Sequence, residues 1–243
     1  MVETAKLHRA RERHDRGLTV IEGPNLLEEA LSNAAIVRVV FALPGDGATS
    51  RLANAHGFEL LMVDAQALAR VAGTKTPRGP VAVIEIPERK ETDVSGMLVA
   101  WGVSDPGNVG TLIRTAAGFG WDFGHTEGTA DPWSPKVLRA GAGGHFRAGI
   151  RTIDSLASLE AAGYVAVATI VAGGVPPSDL GPGRYAVLIG EESSGLPPDV
   201  VEESSLRVTI PIPGGLESLN AAMAAGIIVY ELSKPGKESK GRV

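Results

Sequence analysis

Three short stretches of the chain set amide, hydroxyl and carboxylate side chains among glycines directly after apolar runs. The first leads from Ser104 through Asp105, Asn108 and Gly110 to Arg114. The second is Gly190-Glu191-Glu192-Ser193-Ser194-Gly195, and the third passes from Ile210 and Ile212 through Glu217 and Ser218 to Asn220. Open α/β sheets bind ligands outside the carboxyl ends of their strands, so polar groups at these junctions can converge on one pocket. Glycines there serve turns, and helix starts leave backbone N–H groups to engage a ligand. Arg114 carries a permanent charge suited to a phosphate or to a developing oxyanion. Taken singly, Arg114 reads as a solvated helix charge, Asn108 as a helix cap and Gly190 with Gly195 as turn residues. Their combination and order carry the functional reading.

The elements that position these groups follow from periodicity and punctuation. Leu98 to Val103, Tyr164 to Val171, Tyr185 to Ile189 and Leu206 to Ile212 are apolar enough to be buried parallel strands. Asn108 is expected to cap a helix over Val109 to Phe119, closed by Gly118 or Gly120. Further helices are expected at Ser134 to Ala140, at Asp154 to Ala162 with Asp154 as its cap, and at Ser218 to Leu232. Upstream, strands at Thr19 to Glu22, Val37 to Ala42 and Pro80 to Ile86 alternate with helices at Asn25 to Ser32 and Ala65 to Val71, as in a small α/β domain. The polar stretch Pro87 to Asp93 reads as a linker, which divides the chain into residues 1–88 and 94–243. The lysine- and glycine-rich tail from Ser233 to Val243 reads as disordered.

Composition removes several classes of chemistry. With 243 residues, 44% of them hydrophobic, the chain can bury two small cores. It has no cysteine, which excludes disulfides, thiolate metal sites and a Cys nucleophile, and with the last the usual route to methylation at pyrimidine C5. Five scattered histidines without His-x-x-x-His spacing give no metal site. No run is long and apolar enough for a membrane span, and no apolar signal segment opens the chain, so a soluble, cytoplasmic protein is expected. The net charge of −5 argues against a polyanionic partner only on average. Cations cluster at Lys6, Arg9, Arg11, Arg13 and Arg16, at Arg70, Lys75 and Arg78, and at Arg139, Arg147 and Arg151. Phe58, Trp101, Trp121 and Trp133 read as core or interface residues.

Asp105-Pro-Gly-Asn108-Val-Gly110 with Arg114, Gly190-Glu-Glu192 with Gly195-Leu196, and Ile210-Pro with Glu217-Ser-Leu-Asn220 resemble the three motifs of the SpoU (TrmH-type) branch of the SPOUT RNA methyltransferases. The match holds in type, order and distance from about Leu98 to Leu232. Leu18 to Ala30 and Thr74 to Pro80 are similar to the start and end of the ribosomal-protein-like substrate-binding domain that precedes the catalytic domain in many members. The resemblance implies an α/β protein: a trefoil-knotted domain with a mainly parallel sheet and helices on both faces, preceded by a small α/β domain. It also implies a homodimer.

The activity it implies is methyl transfer from S-adenosylmethionine to a ribose 2′-hydroxyl of RNA. The N-terminal domain favours 23S rRNA, antibiotic-resistance enzymes included. A tRNA 2′-O-methyltransferase and a non-catalytic cofactor- and RNA-binding assembly factor are the alternatives. By the same resemblance, Arg114, Asn108, Glu192, Ser218 and Asn220 form the catalytic set. Thr169, Leu188, Ile189, Gly190, Ile210, Ile212, Leu219 and Asn220 hold the cofactor. Phosphate contacts are then expected from Arg9, Arg11, Arg13, Lys75, Arg78, Arg114 and Arg139. A guanidinium hardly deprotonates in a protein, so Arg114 reads as a clamp rather than a base. Two departures stand out: Ser193-Ser194 where many relatives carry Gly-Arg, and Gly141 where relatives often have Ser.

Overall fold

The computed structural model describes residues 2–74, 76–77, 79–88 and 94–234. The N-terminal part runs α1 (Val2–Lys6), α2 (Ala10–Arg16), β1 (Leu18–Glu22), α3 (Pro24–Ser32), β2 (Val37–Ala42), α4 (Gly47–His56), β3 (Glu59–Met62), α5 (Ala65–Ala72) and β4 (Val81–Glu85). Its sheet has the order β1-β4-β2-β3, with β4 antiparallel to β1 and β2, and β3 parallel to β2. The C-terminal part runs β5 (Gly96–Ala100), α6 (Pro106–Gly118), β6 (Asp122–His125), α7 (Pro135–Gly141), β7 (Ile150–Thr152), α8 (Leu156–Ala161), β8 (Val165–Thr169), β9 (Tyr185–Ile189), α9 (Pro198–Glu203), β10 (Leu206–Val208) and α10 (Ala221–Leu232). These strands pair in parallel in the order β10-β8-β9-β5-β6-β7.

A parallel sheet must be covered on both faces, and alternation along its strands achieves this. Leu98, Ala100, Val187 and Ile189 share one core with residues of α6, α7 and α10. Their neighbours Met97, Val99, Ala186 and Leu188 turn to the other face, against α8 and α9. Helices α6 and α7 meet at Gly110, where a Cβ would lie 2.4 Å from the Ala140 Cβ and 2.7 Å from the Val137 carbonyl oxygen.

A third core joins the two parts of the chain. Ile21, Leu27, Ala30 and Ile84 from the N-terminal part pack with Trp133, Leu138 and Phe146 around α7. The buried Thr19 hydroxyl donates to the Trp133 carbonyl at 2.7 Å. Arg139 pairs with Glu22 at 3.0 Å, Arg147 with Glu29, and Arg13 with Asp131. His145 is fully enclosed in this region; its Nε2 lies 2.9 Å from the Pro132 carbonyl, and burial pushes its pKa down to about 4. A Cβ on Gly141 would stand 2.3 Å from the His145 Cε1, so the glycine in place of serine is dictated by this ring.

Several boundaries differ from expectation. The helix expected from Val109 starts at Pro106, because Asp105 rather than Asn108 is its N-cap and accepts from the Asn108 N–H at 2.7 Å. The helix expected from Ser218 starts at Ala221, capped by Asn220. Ser155 replaces Asp154 as the cap of α8. The strand expected to reach Ile212 stops at Val208, short of Pro211 and Pro213, which lack ladder donors. The basic N-terminal segment folds into α1 and α2, and α4, β3, β6, β7 and α9 were not foreseen. The expected linker and the tail fall largely on residues 89–93 and 235–243, outside the described residues.

Replacing Gly110 by Ala should separate α6 from α7 against backbone atoms that cannot yield. A net loss of about 2 kcal/mol is expected in chemical or thermal unfolding, despite the better helix propensity of alanine. The unfolded chain protonates a histidine near pH 6.5, whereas His145 in the folded protein resists down to about 4. Between these values the unfolded state binds more protons, so stability is full above the upper value and falls as pH drops through the window, by ~3 kcal/mol in all. Thermal melts from pH 7 to pH 4 should show a shallower decline in His145→Gln than in the wild type.

Candidate active site

The three polar junctions meet at the carboxyl edge of the parallel sheet, as the open-sheet rule requires. After β5 the chain turns through Ser104 into α6. After β9 it makes a tight turn closed by the Gly195 N–H on the Glu191 carbonyl at 2.8 Å. Gly195 has φ +68°, and a Cβ on Gly190 would sit 2.3 Å from the Gly195 carbonyl carbon, so both positions need glycine. The Glu191 carboxylate accepts from the Ser104 N–H at 2.7 Å and its hydroxyl at 3.2 Å, which ties the second turn to the first.

Asn220 joins all three. Its Oδ1 accepts from the N–H groups of Ala222 and Met223, each at 3.1 Å, which caps α10. Its Nδ2 donates to the Asn108 Oδ1 at 3.1 Å and to the Glu192 Oε1 at 2.5 Å. A side-chain amide offers two donors and two acceptor sites, and all four are taken. Asn220, expected in both the catalytic and the cofactor sets, holds Asn108 and Glu192 in place.

Beside this hub lies a cavity of about 140 Å³. Ile189, Val208, Ile210, Ile212, Leu219 and Ile228 give it apolar walls. Thr169, Gly190 and Ser218 line it, and so do Glu191, Glu192 and Glu217. Apart from a turn at Pro213 and Gly214, residues 210–219 show no backbone hydrogen bond among the described residues, so most N–H and C=O groups along this wall are unused. A flat heteroaromatic ring fits apolar walls with backbone partners, and a cation fits a lining of carboxylates. Leu188 does not line the cavity: its side chain is in the core, and its carbonyl accepts from the Thr169 hydroxyl at 2.7 Å. Ala221, Ala224 and Ile228 do line it and were missed, although their spacing puts them on one face of α10.

The expected cationic residues separate into two groups. Arg114 is exposed on α6, outside the cavity lining, with no ion pair or hydrogen bond among the described residues. Arg9 is exposed and likewise unpaired, and Arg11 is exposed with Asp15 at 3.4 Å. Arg13, expected on the phosphate-binding face, is 2% exposed and bound to Asp131, so it is closed to RNA. Arg139 is engaged with Glu22, and Arg151 is held by the buried Asp122. Lys75 and Arg78 lie outside the described residues. Among the described residues no group of His, Cys, Asp and Glu could hold a metal ion, and no helix is long and apolar enough to cross a membrane.

The family model for SpoU rRNA methylases matches residues 96–230, and that for the MRM3-like substrate-binding domain matches residues 2–82. The chain is 35% identical over 234 residues to the 23S rRNA (guanosine(2553)-2′-O)-methyltransferase RlmP of Bacillus subtilis, covering 93% of each protein. It is similar to the AdoMet-bound rRNA methyltransferase of Sinorhizobium meliloti, with TM-score 0.79, 26% identity and coverage of 95% and 92%. It is also similar to the SpoU methyltransferase AviRb of Streptomyces viridochromogenes, with TM-score 0.83, 25% identity and coverage of 95% and 94%. The cavity suits that cofactor, whose adenine needs the apolar walls and unused backbone groups and whose sulfonium needs the carboxylates. With both sequence parts matched in order and this pocket between its three motifs, the chain belongs to the SpoU rRNA methylase family and is an S-adenosylmethionine-dependent RNA 2′-O-methyltransferase.

Proposed function

We propose that the chain methylates a guanosine ribose 2′-hydroxyl of 23S rRNA, in the cytoplasm and as a homodimer, with residues 1–88 gripping the RNA and residues 94–243 carrying the reaction. The observation that carries this reading is the similarity to RlmP across 93% of both chains, N-terminal part included. S-adenosylmethionine supplies a methyl group already activated on a sulfonium, so the protein has mainly to align the ribose oxygen and accommodate charge. Arg114, unpaired and exposed, clamps an RNA phosphate and stabilises negative charge developing on the ribose oxygen. Asn108 keeps its amide donors and Glu192 its second oxygen unused, and both face the substrate from positions fixed by Asn220. Ser218 hydrogen-bonds the ribose or the cofactor from the cavity wall. Backbone groups of Gly190, Ile210, Ile212 and Leu219 hold the adenosine. The proton leaves to a water or to the RNA phosphate itself.

Exposed apolar side chains support the dimer. Phe119 on the end of α6 and Met223, Ile227 and Tyr230 on α10 are exposed, and the Phe119 and Tyr230 rings meet edge to face at 6.5 Å. An apolar stripe of this kind on a globular chain calls for a partner, and a second copy covers it symmetrically. The segment 209–220, which returns from the edge strand β10 to α10 beside α6 and β9, is our choice for the threaded part of the family's knot.

Radiolabelled methyl transfer to 23S rRNA, followed by mapping of the alkali-resistant site, tests the reading. Arg114→Ala should leave cofactor affinity nearly unchanged and lower turnover by about 10²–10³; unimpaired turnover would remove the clamp. Asn220→Ala should cost ~1 kcal/mol of stability through the lost cap and weaken both cofactor binding and turnover, read by calorimetry and the same assay. Label on tRNA alone would overturn the 23S assignment, and cofactor binding without any label would favour a binding factor.

A further inference from the structure

Of the ion pairs that bridge the two parts of the chain, one differs in kind. The Arg139–Glu22 and Arg147–Glu29 pairs have arginine side chains 40% and 59% exposed, where such contacts contribute little. The Arg13 side chain is 3% exposed and that of Asp131 16%. Arg13 presents Nε, at 3.1 Å, and Nη2 to one carboxylate oxygen of Asp131, and its Nη1 donates to the Leu7 carbonyl at 2.8 Å, which joins α1 to α2. Buried pairs of this type are weak contributors to net stability, but they are directional, and removing one partner leaves a charge without compensation.

What Asp131 holds on its other side gives the pair a role. Its second oxygen accepts from the Trp133 N–H at 2.9 Å, and its carbonyl accepts from the Ser134 N–H at 3.0 Å. Ser134 is the N-cap of α7. Helix α7 abuts α6 at Gly110 with no room for a Cβ, and the segment beyond α7 reaches Arg114 itself, since a Cβ on Gly144 would lie 3.0 Å from the Arg114 Cα. A continuous rigid path therefore runs from α2 through Asp131 and α7 to the helix that carries Asn108 and Arg114.

We infer that the Arg13–Asp131 pair is a positioning element that sets the register between the RNA-gripping part and Arg114, and so determines which nucleotide of the bound RNA is methylated. This rests on the function proposed above. Neither residue touches substrate; both act through α7 and α6.

The test uses Arg13→Met with Asp131→Asn, which removes both charges together while the amide in place of the carboxylate keeps an acceptor for the Trp133 N–H. Because the chain has no cysteine, Asn54→Cys and Ala157→Cys, both exposed, allow spin labels on α4 and α8 for a pulsed distance measurement. Wild type should give one narrow distance and one methylated nucleotide. The uncharged variant should remain folded with unchanged affinity for S-adenosylmethionine, show a broadened distance, lose about a hundredfold in kcat/KM for RNA and spread label to neighbouring nucleotides. Unchanged kcat/KM at the same single nucleotide overturns the inference, whether or not the distance broadens. An unchanged distance overturns it as well, even if activity falls. If wild type itself transfers no methyl to RNA, the proposed function is what fails, and the distance width still decides whether the pair fixes the two parts.

Discussion

The side-chain amide of Asn220 is the constraint on which the site depends. Its four hydrogen bonds bring together a helix start, the first turn of α6 and the turn after β9, the last two contributed by residues 112 and 28 positions away in sequence. Each donor and acceptor has one partner, so the amide cannot swing toward a ligand without uncapping α10 or leaving Asn108 and Glu192 unpaired. That saturation is what makes the cavity beside it pre-formed. Among the described residues the groups left unused, namely the Asn108 amide donors, the second Glu192 oxygen, the Ser218 hydroxyl and most of the backbone of 210–219, are the ones available to substrate and cofactor.

Close packing extends that order outward. Glycine at 110 lets α7 lie against α6, and glycine at 141 makes room for His145, which in turn packs with Trp133 in the core shared by both sheets. The N-terminal part is thus seated on the same helix pair that carries Arg114. Three cations are consumed in this seating, Arg13 from the N-terminal part and Arg139 and Arg147 from the C-terminal part, and all face carboxylates across the junction. Net charge and linear clusters of arginine say where positive charge is plentiful, but pairing decides which of it can meet a polyanion. Arg9, Arg11 and Arg114 retain that capacity.

The strands of the parallel sheet were readable because residues buried on both faces form continuous apolar runs, as in Tyr185–Ile189, where expected and observed bounds agree. Helix starts were misplaced by a few residues because aspartate, asparagine and serine cap almost equally well. Asp105 and Asn108, Asp154 and Ser155, Ser218 and Asn220 compete locally, and tertiary contacts choose among them. The strands β6 and β7 are short and carry charged residues, Asp122 and Arg151, that break the apolar pattern; the two neutralise each other in the fold.

The sequence by itself determined the identity and order of the three motifs, the two-part division into α/β units and the absence of cysteine chemistry, since these depend only on residue type and spacing. Tertiary structure alone decided that Asn220 ties the three motifs together, that Leu188 is core, that Gly141 answers to a buried imidazole and that Arg13 is buried against Asp131. Each of these depends on a partner brought in from elsewhere in the fold or on the faces two elements turn toward each other, and hydrogen-bond saturation and burial are properties of such pairs, not of any one position in the chain.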